Sequence, residues 1–345
     1  MKIGIRVDGS FHIGLGHIYK SLWLAEALRK KGCEVTFLTT EDPAAVDLIR
    51  RKNFPLHLFA EKEGEDEKVA GINRWVEAHS PAVFVIDHWD WSQAYWTSLE
   101  NKPGALFVGM DVPPEGYGKF DLAFQGIRNL AKNSEVAEKG CNIFEGPAYL
   151  MICPEFERYS RAWKPPPRLK NILLTFGSTD VGNFSLKTLA WFEQFPHEYN
   201  LTLILGPGSH PILDSVNQYL RKSRLKVALL QDVPCLPAYM RSADLVLSTA
   251  GMGTLSELAL TGAPAIVFAA VPHQADNAKR LSHIGGILNC AGEVGIIDAR
   301  CRDYIKELTD RPLGLKTLSD KWRGLVDAEG INRIVDIIIQ HAGSK

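Results

Sequence analysis

The chain has 345 residues, of which 46% are hydrophobic and 23% charged, and its formal net charge is -1. That length exceeds what one hydrophobic core usually fills, so two domains are expected, and the near-neutral balance argues against a nucleic-acid or other polyanionic partner. Six cysteines (Cys33, Cys141, Cys153, Cys235, Cys290 and Cys301) show no CxxC or other ligand spacing. That excludes a clustered structural zinc site and suits buried thiols in a reducing compartment.

In chain order, residues 2–7 read as a strand, with no charged leader and apolar core ahead of them. No apolar run is long enough to span a bilayer, so a cytoplasmic protein without membrane insertion is expected. A helix follows at residues 18–31, a strand at 34–38, a helix at 69–79, and strands at 82–86 and 105–108. This alternation predicts a parallel sheet covered by helices on both faces. It breaks at residues 158–170, where Trp163-Lys164-Pro165-Pro166-Pro167-Arg168 can continue neither a helix nor a central strand. Strands then resume at 171–176, 201–205, 227–230, 245–248 and 265–268. The expected fold is therefore α/β, with two doubly wound, Rossmann-like domains facing each other across a cleft. Residues 1–157 form the first domain, 158–170 a linker and 171–326 the second. Residues 327–345 hold a last amphipathic helix whose stripe of Ile331, Ile334, Val335, Ile338 and Ile339 can pack back onto the first domain.

Chemistry is expected where strands end and helices begin. Asp8-Gly9-Ser10-Phe11-His12-Ile13-Gly14-Leu15-Gly16-His17 occupies such a junction, and Gly14 and Gly16 permit a tight turn and close backbone approach. Tyr19 stands where a dinucleotide fingerprint needs its third glycine, so a nicotinamide site is rejected. His17, in the first helical turn, meets the positive end of the helix dipole and is expected to be a neutral general base, unless it merely caps a loop. Asp8 either orients that imidazole, binds a sugar hydroxyl or caps a turn.

In the second half, the strand at 245–248 runs through Thr249-Ala250-Gly251-Met252-Gly253-Thr254 into a helix carrying Glu257. Unpaired N–H groups at such a helix start suit a pyrophosphate, and Glu257 can accept both hydroxyls of a ribose. Gln274 and Asn277, three apart, share a helix face and offer amides that suit sugar hydroxyls and N-acetyl groups. Phe176-Gly177-Ser178-Thr179-Asp180 ends the first strand of this half, as a phosphate contact or a simple turn. Ile86-Asp87-His88-Trp89-Asp90-Trp91 sets charged and aromatic groups at another strand end.

Together these motifs resemble the GT-B architecture of nucleotide-sugar enzymes related to the peptidoglycan glycosyltransferase of lipid II synthesis. The N-terminal pattern Arg6-Val7-Asp8, Gly14-Leu15-Gly16-His17, Leu22, Leu24, Ala25 and Leu28 is similar to the UDP-2,4-diacetamido-2,4,6-trideoxy-altropyranose hydrolases of pseudaminic acid synthesis. So are Ile86-Asp87-His88, Pro154-Glu155-Phe156 and Phe176-Gly177 with Asp180, in matching order over nearly the whole chain. The resemblance implies hydrolysis of a UDP-linked amino sugar at its anomeric carbon, without metal or cofactor. In that scheme His17 is the base and Asp8 assists it. Glu257 holds the ribose, and the backbone of Gly251, Met252, Gly253 and Thr254 holds the diphosphate. Val233 meets uracil through its backbone, and Gln274, Asn277, Asp87, Gly14, Gly16 and Gly177 line the substrate.

Four departures bear on which sugar is bound. Trp89 replaces an aromatic hydroxyl, Lys20 stands in place of an arginine, Ser178 replaces a second glycine, and Gly146-Pro147-Ala148-Tyr149-Leu150-Met151-Ile152 differs from the family's usual run into Pro-Glu-Phe. The alternative reading is a UDP-sugar-dependent glycosyltransferase of cell-surface polysaccharide synthesis, which shares every feature of the second half and adds an acceptor.

Overall fold

A computed structural model describes residues 1–10, 13–87, 92–100, 104–126, 133–160, 163–195, 199–297 and 299–343 of the chain. They divide into two compact units: Met1–Pro154 joined by Ala328–Lys345, and Glu155–Asp327. Each is an α/β unit built on one sheet.

The first unit's sheet contains β1 (Lys2–Val7), β2 (Glu34–Thr40), β3 (Leu56–Phe59), β4 (Val83–Asp87), β5 (Leu106–Met110), β6 (Leu122–Gln125), β7 (Ser134–Glu138) and β8 (Cys141–Glu145). Their order is β3-β2-β1-β4-β5-β6-β8-β7, and only the β7–β8 pair is antiparallel among the described pairings. That pair is a hairpin turned by Lys139 and Gly140, both at positive φ, the geometry that matches strand twist. Side chains alternate across the sheet with period two. Ile3, Ile5 and Val7 point to the face that also buries Ile18, Leu22, Ala25 and Leu28 of helix Gly16–Lys30. Gly4 points to the other face, where any side chain would meet the rings of Trp75 and Phe84.

The last helix, Gly330–Ala342, belongs to this first unit. Its Ile331, Ile334, Val335 and Ile338 are fully buried in the same cluster as the first helix. Each such burial stabilises by about 1.5–3 kcal/mol, which fixes the chain's end to its beginning.

The second unit's sheet contains β9 (Asn171–Thr175), β10 (Asn200–Leu205), β11 (Lys226–Gln231), β12 (Leu245–Thr249), β13 (Ala265–Ala269) and β14 (Ile287–Val294). All its pairings are parallel, in the order β11-β10-β9-β12-β13-β14. Residues 163–170 carry no helix or strand, as their prolines require, but they are not a loose tether. Trp163 and Leu169 are buried in this unit's core, and the Trp163 indole N–H donates to the Ala243 carbonyl at 3.0 Å.

Five strands lie outside the sequence reading: β3, β6, β7, β8 and β14. The first four are only four or five residues long, too short for periodicity to separate them from loop. Among the described residues, no helix is long and apolar enough to cross a membrane.

Candidate functional site

Among the parallel strands of each sheet the order reverses once, between β1 and β4 in the first unit and between β9 and β12 in the second. At such a point the connections run off to opposite sides, opening a crevice beyond the carboxyl ends of the strands. His17 and Asp87 lie at the first of these reversals, and Gly251 and Glu257 at the second.

In the first unit, Asp87 is the last residue of β4 and His17 the second of helix Gly16–Lys30. His17 Nδ1 lies 2.7 Å from Asp87 Oδ1, and the Ser21 hydroxyl donates to Asp87 Oδ2 at 3.1 Å. Asp87 has no exposed side-chain surface, whereas 27% of the His17 side chain is open. Burial alone would push the Asp87 carboxyl up. The nearby Lys20 ammonium, His17 and the Ser21 hydroxyl outweigh that and hold it down to about 2. An ionised carboxylate can only accept, so the hydrogen between the pair sits on His17 Nδ1, and in the neutral ring Nε2 keeps its lone pair.

Lys20 lies one turn beyond His17, with its ammonium 3.0 Å from Asp111 Oδ2. Asp111 follows β5 directly and sits in the left-handed region at φ 52, a conformation aspartate tolerates better than most residues. Burial tends to lower the Lys20 pKa, but the two carboxylates of Asp87 and Asp111 overcome this and raise it.

Asp8 does not orient His17. Its carboxylate accepts from Arg6 Nη1 at 2.6 Å and from the Thr40 N–H at 2.7 Å, so it is committed to a fully buried arginine and to the end of β2. The orienting acid is Asp87, which the sequence reading had assigned to the substrate. A carboxylate without exposed surface has none to offer a ligand.

The glycines also divide differently from expectation. Gly14 needs its freedom, at φ 93, where its N–H donates to the Ser10 carbonyl at 2.8 Å. Gly9 admits no side chain because Ile18 packs against it. Gly16 has neither constraint, and the space over it is open. Phe11 and His12, and the His88-Trp89-Asp90-Trp91 stretch, lie outside the described residues.

In the second unit, helix Met252–Thr261 begins at Gly251 with no side-chain cap and no charged residue in its first turn. Its first N–H groups therefore point away from the helix without an internal partner. Nothing lies within 4 Å of where a Gly253 side chain would stand. Glu257, half-buried and with no ion pair or hydrogen bond to its carboxylate among the described residues, is pushed up to about 8 by burial. Such a group favours a ligand that can donate hydrogen bonds to it.

Gln274 and Asn277 sit on the helix Pro272–Ser282 after β13, and both are partly occupied. Gln274 Oε1 accepts from the Ala270 N–H at 2.8 Å, and its Nε2 lies against Gly251. Asn277 Nδ2 donates to the Ala250 carbonyl at 3.2 Å, which braces the glycine loop. One amide hydrogen of Asn277 is thus unavailable to a sugar. Val233 lies just past β11, which β10 and β9 separate from β12.

The loop after β9 is a built turn. Gly177 stands at φ 83 and Asp180 at φ 46. Asp180 is buried and accepts from the N–H groups of Phe184 and Ser185 at 2.8 and 3.0 Å, capping helix Phe184–Phe192. Burial raises its carboxyl in spite of those bonds. Gly206, at the end of β10, packs so closely that a methyl group there would stand 2.5 Å from the Gly177 carbonyl oxygen.

Ser21 and Asp111 were absent from the sequence reading, and Lys20 entered only as a departure. The spacing of His17, Lys20 and Ser21 was the available signal, since residues three and four apart share a helix face.

Comparison with known proteins bears on this geometry. Residues 171–299 match the model of the glycosyltransferase family 28 C-terminal domain. A UDP-N-acetylglucosamine–N-acetylmuramyl-(pentapeptide) pyrophosphoryl-undecaprenol N-acetylglucosamine transferase of Solibacter usitatus is 32% identical over 297 residues, 78% of this chain and 79% of its own. The chain belongs to glycosyltransferase family 28. A family relative matched end to end is the spore coat polysaccharide biosynthesis protein SpsG of Bacillus subtilis, 25% identical over 98% of each chain. The crystal structure of Acinetobacter baumannii MurG superposes with a TM-score of 0.73 over 99% of this chain and 100% of that one, at 16% identity. The fold is GT-B. These relatives carry transferase and polysaccharide-biosynthesis names, so they support the transferase alternative better than the hydrolase reading.

Proposed function

We propose that the chain is a nucleotide-sugar enzyme of surface-polysaccharide synthesis that transfers the sugar of a UDP-sugar to an acceptor hydroxyl. The observation that carries this reading is the His17–Asp87 pair at the first unit's strand reversal, a base whose inner nitrogen is held and whose outer nitrogen has no partner among the described residues. The acceptor oxygen attacks the anomeric carbon while its proton passes to His17 Nε2. The bond from that carbon to the phosphate oxygen breaks, and UDP leaves with the electron pair. The uncapped start of helix Met252–Thr261 stabilises the charge developing on the diphosphate. Glu257 takes the ribose hydroxyls, and Val233, just past β11, takes the base.

Hydrolysis remains a second reading because of where the family model ends. It covers residues 171–299, the nucleotide side, and the end-to-end relative is named for polysaccharide biosynthesis rather than for transfer. Water at His17 would use the same geometry.

The test is UDP release from UDP-N-acetylglucosamine and from the UDP-diacetamido-trideoxy sugar, with and without an oligosaccharide acceptor, for wild type and His17→Ala. Release that needs acceptor and His17 supports transfer. Release without acceptor supports hydrolysis. Release that survives His17→Ala overturns the role of the base. Failure of UDP to raise the melting temperature at millimolar concentration overturns the nucleotide site.

A further inference from the structure

We propose that Lys20 and Asp111 form a positioning pair for His17. The Lys20 ammonium, held by Asp111 beside Asp87, balances the buried Asp87 carboxylate so that it remains a pure acceptor for the His17 Nδ1–H. This inference rests on the reading of His17 as the base but concerns residues to which that reading gives no role.

The geometry is specific. His17, Lys20 and Ser21 project from one face of helix Gly16–Lys30 toward the ends of the adjacent strands β4 and β5. There they meet two carboxylates, with His17 and Ser21 on Asp87 and Lys20 on Asp111. Lys20 and Asp111 are 14% and 24% exposed in their side chains, so the pair is largely shielded from water. Asp111 reaches Lys20 from a left-handed backbone conformation, fixed by its N–H donating to the Phe124 carbonyl at 2.9 Å. Unusual backbone geometry of that kind persists where the surroundings demand it.

The charges facing His17 can be counted by element. Helix Gly16–Lys30 supplies Lys20, β4 supplies Asp87 and the end of β5 supplies Asp111. Asp8, at the end of β1, is neutralised by Arg6. His12, His88 and Asp90 lie outside the described residues. Asp87, Asp111 and Lys20 thus sum to one negative charge. Without Lys20, the buried Asp87 carboxylate and the partly exposed Asp111 carboxylate would share one neighbourhood with no cation between them, and neighbouring like charges drive one of them to bind a proton. A protonated Asp87 can donate to the imidazole rather than accept from it, which would reverse the ring's tautomer. The depressed Asp87 and raised Lys20 agree with this direction of coupling.

The decisive experiment is nitrogen NMR of the full chain labelled with 15N-histidine, using His17→Gln to assign the resonance. It compares wild type, Lys20→Met, Lys20→Arg, Asp111→Asn and the double variant Lys20→Met/Asp111→Asn near pH 8. Wild type should show a protonated Nδ1 and an unprotonated Nε2. Lys20→Met should lose that signature, whereas Lys20→Arg and Asp111→Asn should keep it. Asparagine tolerates the left-handed conformation and still accepts from Lys20.

The double variant restores one net negative charge without restoring the lysine, so it should regain the tautomer that Lys20→Met lost. A structural filler would instead leave the double variant no better than Lys20→Met, and that result overturns the proposal. So does an unchanged tautomer in Lys20→Met. Should Lys20→Met not fold, loss of the signature in Lys20→Arg would still overturn it, because that variant keeps the charge. None of these spectra depends on turnover, so failure of the transferase reading would appear separately, as an absence of UDP release in wild type. If turnover is present, kcat should fall about 10-fold or more in Lys20→Met with little change in KM, and should recover in the double variant.

Discussion

Glu257→Gln separates nucleotide binding from stability, because the two should move in opposite directions. The Glu257 carboxyl is pushed from an ordinary 4.5 up to about 8 by burial alone. An acid whose folded value is raised opposes folding once it must ionise. It has no effect below pH 4.5, a growing cost between 4.5 and 8, and a constant cost above. Each pH unit corresponds to 1.36 kcal/mol, so the full shift sets an upper bound of about 5 kcal/mol. Glu257 is only half-buried, and solvent screening reduces this to about 2 kcal/mol. Glutamine keeps the shape and cannot ionise. Without ligand at pH 8, Glu257→Gln should therefore melt above wild type, by about 4–8 °C for a unit of this size. At pH 4.5 the two should melt together. Millimolar UDP should reverse the order, because ribose hydroxyls bind a charged acceptor more strongly than a neutral amide, by at least about tenfold in affinity. UDP binding to wild type at pH 7 should also release close to one proton, visible as a buffer-dependent heat. A variant that gains nothing at pH 8, or gains as much at pH 4.5, refutes the burial cost assigned to Glu257.

Asp87→Asn should lower kcat about 100-fold or more with a small change in KM, since the held tautomer is lost while the binding surface is not. Asp87 is depressed from 3.8 to about 2, so it stabilises the fold above pH 3.8 and loses that contribution as pH falls toward 2. The variant should accordingly be about 2 kcal/mol less stable than wild type at pH 7 in urea titration, and the gap should close toward pH 2. Asp180→Ala removes a helix cap and should cost about 1 kcal/mol in the same titration, with UDP affinity within twofold of wild type. A large loss of UDP affinity would return that loop to the nucleotide site. Gly206→Ala forces a methyl group onto the Gly177 carbonyl and should destabilise by about 1–3 kcal/mol.

Both Rossmann-like sheets were legible in the sequence because their central strands are buried on both faces. β4 and β12, for example, are uniformly buried runs bounded by turn residues. The edge of the first sheet was not. β7 is Ser134-Glu135-Val136-Ala137-Glu138, largely exposed, and its pairing depends on the Lys139–Gly140 turn rather than on apolar spacing. The uncapped helix start at Gly251 was readable because a glycine-rich strand-to-helix junction is a local feature of chain and spacing. The partner of His17 was not, because Asp87 lies 70 residues away and the contact depends on β4 lying beside β1. From sequence alone Asp8 and Asp87 were equivalent carboxylates at strand ends. What distinguishes them is Arg6, a buried charge on β1 that must be neutralised and takes Asp8 for that purpose.

The two strand reversals therefore differ in kind. The one between β9 and β12 offers backbone N–H groups and a carboxyl that no cation among the described residues satisfies, which under the proposed function suits an anionic ligand bearing hydroxyls. The one between β1 and β4 has its fixed charges internally paired, Arg6 with Asp8 and Lys20 with Asp111, and leaves His17 partly open. A site of the first kind gains its affinity from what it lacks when empty. A site of the second kind is preorganised for a proton and needs little of the substrate to keep its shape. Substitutions at Gly251, Gly253 or Glu257 should therefore appear in KM and in UDP affinity. Those at His17, Asp87 or Lys20 should appear in kcat, while UDP still binds. A His17→Ala protein that had lost UDP affinity as severely as Glu257→Gln would show that this division of labour is wrong.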